Sequence, residues 1–304
     1  MKIQHALGAL LAVQILLAGG LFAHHRQQQS QMSQHSSILS FDKASVDKVE
    51  LADKSDTVTL VKSGEGWTLP DYSDLPVDPE KIETLLSDLS ELKGGWPVST
   101  TTDSHETLEV SEKKFVKTVK LLAKNQPVAE LFLGTSPGLR TVHLRSSKDE
   151  NVYAAPLSSS ALPLSQEQWF DRGLLKLKEP TEIKGKDYLL KKEAGVWKLD
   201  GGEVNQAIAD ALLQGLTGFR VESLQSTAPS GAPSATLEVV DGKPLTFSFW
   251  VKDDEVTVRR SDSDKAFTVT KPSYDQLLSY DKAKLTPPKQ QPKASPTPTP
   301  AATP

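Results

Sequence analysis

Residues 134–138 read Gly-Thr-Ser-Pro-Gly and match the G-x-S-x-G pattern of a serine nucleophile elbow. An elbow needs a helix directly after the serine and a histidine that follows the acidic partner later in the chain. Here a proline and a glycine follow Ser136 and open a turn into a strand, and the only histidine beyond it is His143. The pattern therefore predicts a hairpin turn, and a degenerate hydrolase is the least supported function.

The other titratable side chains form no catalytic or metal-binding pattern. Only His105 and His143 fall in the part expected to fold, and no zinc-protease, phosphate-loop or dinucleotide motif is present. The acidic pairs Asp253-Asp254 and Asp262 with Asp264 lie in predicted turns, where carboxylates are solvated, and they lack calcium-loop spacing. We therefore expect no enzyme activity, no cofactor and no metal.

Charge and composition exclude further classes. The formal net charge is -4 and the pI is about 5.9, which argues against the basic surface that nucleic acids require. The chain contains no cysteine, so disulfides, thiolate catalysis and the acylated cysteine of bacterial lipoproteins are all excluded. Attachment to a membrane would have to use the polypeptide itself.

One cluster combines aromatic and charged residues, at Trp169, Phe170, Asp171 and Arg172. Because Trp and Arg are enriched at interaction hot spots, Trp169, Phe170 and Arg172 are candidates for contact with a partner. The alternative is a packed linker helix that fastens a first module to a second, since aromatic residues are usually buried.

The chain between its two ends repeats itself. Residues 60–69 align without a gap to residues 190–199, and each stretch reads as strand, glycine turn and strand. Trp67 and Trp197 open the second strand of their hairpins. We expect the two tryptophans to occupy equivalent buried positions, each packed against the helix of its own module.

The repeat continues beyond the hairpins. In the first copy Asp78 can cap a helix with an apolar stripe, and in the second copy a similar stripe ends at Gly218. Strands then match in pairs without gaps, and these pairs are 118–122 with 236–240, 142–145 with 256–259, and 152–153 with 266–267. The order of elements is hairpin, helix and antiparallel meander, which predicts an α+β fold of two tandem repeats.

These segments resemble the family called domain of unknown function 4340. The resemblance rests on the hairpin with its Trp, the acidic-capped helix, the strand end at residues 131–134, the strand at Val152-Tyr153 and the segment at residues 168–171. It implies a bacterial envelope protein found alongside gliding-motility-type ABC transporter components. The family brings no defined catalytic residues.

The two ends differ in composition from the middle. Residues 6–23 form an apolar run interrupted only by Gln14, which predicts a transmembrane helix or a secretion signal. His24, His25 and His35 follow in a flexible stretch and are not expected to hold a metal. The proline-rich end cannot form a core and predicts an extended tail.

The predicted organisation has five segments. They are an N-terminal membrane anchor or signal at 1–25, a flexible stalk at 26–41, a first α+β module at 42–178, a second α+β module at 179–285 and a disordered Pro-rich tail at 286–304. The protein is expected in the bacterial inner membrane as a single-pass protein, with the bulk of the chain in the periplasm.

The resulting hypothesis is a non-catalytic, membrane-anchored periplasmic protein that serves as scaffold or accessory of an envelope or ABC-transporter-type complex. Its partners would be the inner membrane and an envelope protein, with no nucleic acid. The alternative is a periplasmic ligand-binding protein with its site at the junction of the two modules, where a cleft could form.

Removal of residues 1–23 should release a soluble, folded protein, because this run is the only segment of the sequence that is apolar enough to span lipid. Membrane fractionation of the full and truncated chains measures this. Recovery of the untruncated chain in the soluble periplasm would instead identify a cleaved signal.

Overall fold

The computed structural model describes residues 37–157, 159–227 and 229–288. The apolar run at 6–23 and the histidines at 24, 25 and 35 lie outside these residues, as do most of the predicted stalk and nearly all of the predicted tail. Among the described residues, no helix is long and apolar enough to cross a membrane.

The chain divides into two compact units, Met1–Asp171 and Arg172–Pro304. The division falls earlier in the chain than the predicted boundary after residue 178. In the described residues each unit is built on one eight-stranded antiparallel sheet.

The first sheet has the strand order β4-β3-β2-β1-β5-β6-β7-β8. Its strands are β1 Lys48–Ala52, β2 Thr57–Ser63, β3 Gly66–Leu69, β4 Leu75–Pro76, β5 Lys117–Ala123, β6 Gln126–Leu133, β7 Val142–Ser146 and β8 Tyr153–Ala155.

The second sheet has the order β11-β10-β9-β13-β14-β15-β16-β12. Its strands are β9 Glu182–Lys184, β10 Leu189–Glu193, β11 Val196–Leu199, β12 Ser223–Leu224, β13 Ala235–Asp241, β14 Lys243–Lys252, β15 Glu255–Arg260 and β16 Ala266–Val269.

The predicted α+β class is wrong, because the described part of the chain is mostly β, with five α-helices beside sixteen strands. The helices are α1 Pro79–Ser90, α2 Asp103–Thr107, α3 Gln206–Thr217, α4 Lys271–Leu278 and α5 Lys282–Leu285. The prediction missed β1 and β9, which precede the hairpins and extend each sheet. With these strands the helices become minor additions to two large sheets.

The two sheets share one strand order over seven strands. The series β3-β2-β1-β5-β6-β7-β8 of the first unit corresponds to β11-β10-β9-β13-β14-β15-β16 of the second. The remaining strand is β4 beside β3 in the first sheet and β12 beside β16 in the second. The sequence repeat is therefore a repeat of topology as well.

The aligned hairpins have the same register. Trp67 pairs with Lys62 and Trp197 pairs with Lys192, so the two tryptophans occupy equivalent strand positions as expected. Their turns differ, because Gly64 has φ +60 in the first, whereas Ala194 and Gly195 have φ 47 and +84 in the second. Burial differs as well, since Trp197 is 5% exposed and Trp67 is only partly buried.

The two long helices begin and end largely where their sequences indicate. Asp78 accepts a hydrogen bond from the Glu80 N–H at 3.1 Å and caps α1, which has proline in its first turn. Gly218 forms the C-cap of α3. Helix α1 ends at Ser90, and its buried face comprises Ile82, Leu85, Leu86 and Leu89.

The core of each unit comes from one face of its sheet. Buried and less buried residues alternate in strands such as β1 and β14, as expected where one sheet face is covered. In the second unit the aromatic core contains Phe219, whose ring meets those of Phe247 and Phe249 edge-on at 6.0 and 6.5 Å. Such edge-to-face contacts add to the stabilisation from burial.

Truncation of Trp197 to Ala should reduce the free energy of unfolding by about 3 to 5 kcal/mol, because a large buried side chain leaves a cavity. Trp67→Ala should have a smaller effect, since its side chain is only partly buried. Urea unfolding followed by circular dichroism measures both. Trp96→Ala serves as control, because this side chain is 71% exposed. Equal losses for Trp67→Ala and Trp197→Ala would contradict the assigned burial.

Candidate functional site

Ser136 lies in a hairpin turn and not at the start of a helix. Its Oγ donates to the carbonyl oxygens of Gly138 and Thr141, at 2.7 and 2.6 Å. The Nδ1 atom of His143 bonds to the hydroxyl of Thr135 at 2.8 Å, and partial burial lowers the pKa of this imidazole. The predicted hairpin turn is present, and the hydroxyl of Ser136 bonds within it.

The acidic pairs also lie where turns were predicted. Asp253 has φ 54 in the turn between β14 and β15. Asp262 forms ion pairs with Arg260 and Lys243, and its hydrogen bond from Arg260 lowers the pKa of its carboxyl group. The described residues contain no group of three or more His, Cys, Asp or Glu side chains placed to hold a metal ion.

The aromatic cluster at 169–172 is largely buried. The Trp169 indole donates to the Pro163 carbonyl at 2.8 Å, and the Asp78 N–H donates to the Trp169 carbonyl at 2.8 Å. Phe170 is fully buried, with its ring 5.9 Å from that of Tyr72. These two side chains pack inside the first unit and hold the start of α1, so they present no exposed hot spot in this conformation.

Arg172 belongs to the second unit and is partly exposed. Its Nη1 pairs with Glu222 at 3.1 Å, and its carbonyl accepts the N–H of Val221 at 2.8 Å. The residues proposed as one contact are thus divided between two units, with only the arginine accessible. Binding of a partner at Arg172 stays a prediction.

A cavity of about 580 Å³ in the first unit lies beside a buried arginine. Arg145 on β7 is 6% exposed and its guanidinium lies 4.8 Å from the ring centre of Phe132, a cation-π contact. Its Nε donates to Val110 O at 2.9 Å, and Nη1 donates to Ser146 O and Asp149 O at 3.4 and 3.2 Å. Main-chain carbonyls therefore take the place of a carboxylate partner.

The second nitrogen of this guanidinium has capacity for a ligand. Among the described residues, no hydrogen bond reaches the Nη2 atom of Arg145 and no carboxylate forms an ion pair with it. An unneutralised buried cation attracts an anionic or carbonyl oxygen. Charges of both signs line the same cavity beside Arg145. They are the carboxylates of Glu106, Glu112, Asp149 and Glu150 and the ammonium groups of Lys113 and Lys148.

His105 closes one side of this cavity. It is buried on α2, and its Nε2 donates to the Glu150 carbonyl at 2.7 Å. This bond ties the helix to the loop after β7.

A second cavity, of about 510 Å³, lies in the second unit between β13 and the end of α4. Tyr188 lines it and is 5% exposed. Burial raises the pKa of its phenol far above the usual range, with smaller contributions from Asp187 and Tyr280. The hydroxyl therefore stays protonated at all physiological pH values and can donate a hydrogen bond.

The most exposed tryptophan is Trp96, which is 71% exposed on the segment after α1. Main-chain bonds hold this segment, because the Val98 N–H donates to Val152 O at 2.7 Å and Val152 N–H to Ser99 O at 2.9 Å. Gly94 packs so close to the Tyr153 ring that a Cβ atom there would lie 2.5 Å from Cδ1. Trp96 is thus presented to solvent on a fixed support.

The sequence reasoning missed Arg145, Tyr188 and Trp96. The position of Arg145 directly after Leu144 in a predicted strand is one signal, because it places a charged side chain beside apolar ones on β7. The run Gly94-Gly95-Trp96-Pro97 gives another, because two glycines and a proline indicate a loop and therefore an exposed tryptophan. Tyr188 carries no such signal, since its burial depends on contacts distant in sequence.

The fold defines a protein of two antiparallel β units, each with a cavity. The family described as Domain of unknown function (DUF4340) matches residues 67–238, which is more than half of the chain, and the protein belongs to this family. The match runs from Trp67 in β3 to Glu238 in β13. No curated protein and no solved structure matches the chain.

Replacement of Arg145 by Lys should reduce the free energy of unfolding by about 2 to 4 kcal/mol, because the single ammonium nitrogen of lysine cannot occupy the positions of both Nε and Nη1. Chemical denaturation measures this loss. The control is Arg140→Lys on the exposed hairpin turn, which should change stability by less than about 0.5 kcal/mol. If both substitutions are neutral, the carbonyl contacts of Arg145 contribute nothing to the fold.

Proposed function

We propose that this protein is a non-catalytic accessory of a cell-envelope complex, attached to the bacterial inner membrane through the apolar run at 6–23 with its two β units in the periplasm. The observation that carries the proposal is the exposed Trp96. An indole is the side chain most often found at the centre of protein interfaces, and its apolar area in water is stabilised by a partner.

The support of Trp96 adds to this argument. A flexible loop would lose conformational entropy on binding, whereas the main chain after Trp96 is already held by the bonds of Val98 and Ser99 to Val152. Val98 is 50% exposed and lies two positions further along the same segment, which extends the apolar contact. A partner can therefore bind Trp96 and Val98 without ordering the loop first.

The absence of catalysis is part of the same proposal. The two histidines of the described residues each engage a neighbouring group, His105 the Glu150 carbonyl and His143 the Thr135 hydroxyl. Ser136 is engaged by two turn carbonyls. General acid-base chemistry needs a group aimed at a substrate, and these groups are aimed at the protein itself.

The partner class follows from the family resemblance, which implies membrane components of an ABC transporter of the gliding-motility type. The alternative is a periplasmic ligand-binding protein, and the Arg145 cavity favours it because a buried guanidinium nitrogen faces unoccupied space. An accessory protein would lose binding of its partner when Trp96 is replaced. A ligand-binding protein would lose binding of its ligand when Arg145 is replaced.

A photo-crosslinking amino acid at position 96 should form a covalent adduct with an integral membrane subunit of a transport complex in intact cells. Trp96→Ala should reduce co-purification of this subunit from detergent-solubilised membranes about tenfold or more, the size of a hot-spot loss. Mass spectrometry of the adduct identifies the subunit.

The control position is Leu139, which is 93% exposed at the tip of another turn of the first unit. A crosslinker at 139 should form no adduct with the subunit. The substitution Leu139→Ala should leave co-purification of the subunit unchanged. Equal crosslinking at 96 and 139, or full co-purification with Trp96→Ala, would argue against Trp96 as the contact. Loss of small-molecule binding in Arg145→Met alone would favour the alternative.

A further inference from the structure

The cavity of the second unit coincides with a gap in the hydrogen bonding of its sheet. Strand β9 pairs with β13 over three residues, from Lys184 with Glu238 to Glu182 with Val240. Beyond Lys184 the chain turns back, because the N–H of Gly185 donates to the carbonyl of Tyr188 at 3.1 Å. The first residues of β13, which include Thr236, therefore have no neighbouring strand on this side.

The main chain of Thr236 points into this gap. Peptide groups of successive residues in a strand face opposite neighbours. The Thr181 N–H donates to the Val240 carbonyl at 2.8 Å, so Val240 faces β9, and Glu238 and Thr236 face the same way. Among the described residues, no partner is found for the N–H or C=O of Thr236.

The first unit shows what fills the same position when its hairpin is longer. Strand β1 has five residues where β9 has three, and its last residue, Ala52, pairs with Thr118 on β5. Thr118 is the position that aligns with Thr236 in the repeat. The natural complement of this position is therefore a residue of extended polypeptide, which accepts from one N–H and donates to one C=O.

The walls of the gap are suited to the same occupant. The hydroxyl groups of Tyr188 and Tyr280 supply polar groups, and Leu277 and Leu278 of α4 supply an apolar surface. Gly185 allows the Tyr188 ring to pack against the main chain, since a Cβ atom there would lie 2.2 Å from this ring. The main chain of an extended peptide could bond to the polar groups, and one apolar side chain could pack against the leucines.

We propose that this gap, the Thr236 notch, binds an extended segment of a partner polypeptide. The N–H and C=O of one partner residue pair with Thr236 as Ala52 pairs with Thr118, a local form of strand addition to a sheet. The notch is formed by Thr236, Gly185, Tyr188, Leu277 and Tyr280. This inference extends the proposed function to a second contact and does not depend on Trp96.

Hydrogen exchange tests the premise on the full chain in detergent. The amide of Thr236 should exchange at least about tenfold faster than that of Thr118, because only the latter is bonded to a neighbouring strand. Comparable protection of the two amides would mean that the gap is closed and would overturn the proposal.

A phage-displayed library of linear hexapeptides, selected against the full chain, tests the binding. A synthetic selected peptide should slow exchange at Thr236. Methylation of the peptide nitrogen that bonds to Thr236 should weaken binding about tenfold or more. Methylation of the nitrogens of the residues on either side should have little effect, because their N–H groups point away from β13. This series leaves the protein unchanged, so its outcome does not depend on the folding of a variant.

Two protein variants complete the test. Thr236→Pro removes the open N–H at a position where a strand tolerates proline, and it should weaken the peptide about tenfold or more. Trp96→Ala should leave peptide binding unchanged, which separates a failure of the notch from a failure of the proposed partner contact. Selection of no peptide, or binding that is insensitive to Thr236→Pro and to every methylation, would overturn the proposal.

Discussion

Each unit depends on one pairing between strands that are far apart in the chain, β1 with β5 in the first and β9 with β13 in the second. A hairpin and a helix are inserted between the two partners, so the pairing closes a long loop and carries an entropic penalty. It also joins the hairpin to the meander. Without it each unit would have two separate sheets of three to five strands, and the hairpin would not share a sheet with the meander.

The same pairing determines where the two units can differ. The Asp47 N–H donates to Leu122 O and the Thr181 N–H to Val240 O, so both pairings begin in the same register. A change in hairpin length therefore leaves the pairing at Leu122 and Val240 unchanged. It alters only the other end of the pairing, beside Thr118 or Thr236. Shortening the hairpin keeps the strand order intact while it opens two main-chain groups in the middle of the sheet.

Local signals in the sequence were sufficient for much of this architecture. Glycine turns located both hairpins, Asp78 located α1, and the gap-free matches located the strands from β5 to β16 that repeat. Strands β1 and β9 were missed because each lies before the matched hairpin segments, outside the residues that repeat in sequence, and the fold class was consequently wrong. The burial of Trp169 was not readable from its sequence neighbours, whereas the glycines and the proline around Trp96 indicate its exposure.

The candidate sites lie where the repeats diverge, and Arg145 shows why. Its counterpart in the repeat is Arg259, and both guanidinium groups lie over an aromatic ring, at 4.8 Å from Phe132 and 5.5 Å from Trp250. Only Arg145 is buried, because the connection between α1 and β5 carries α2 and supplies the Val110 carbonyl, whereas the connection between α3 and β13 forms β12 instead. The shared strands fix an arginine in each unit, and the segment that joins helix to meander decides whether it lines a cavity.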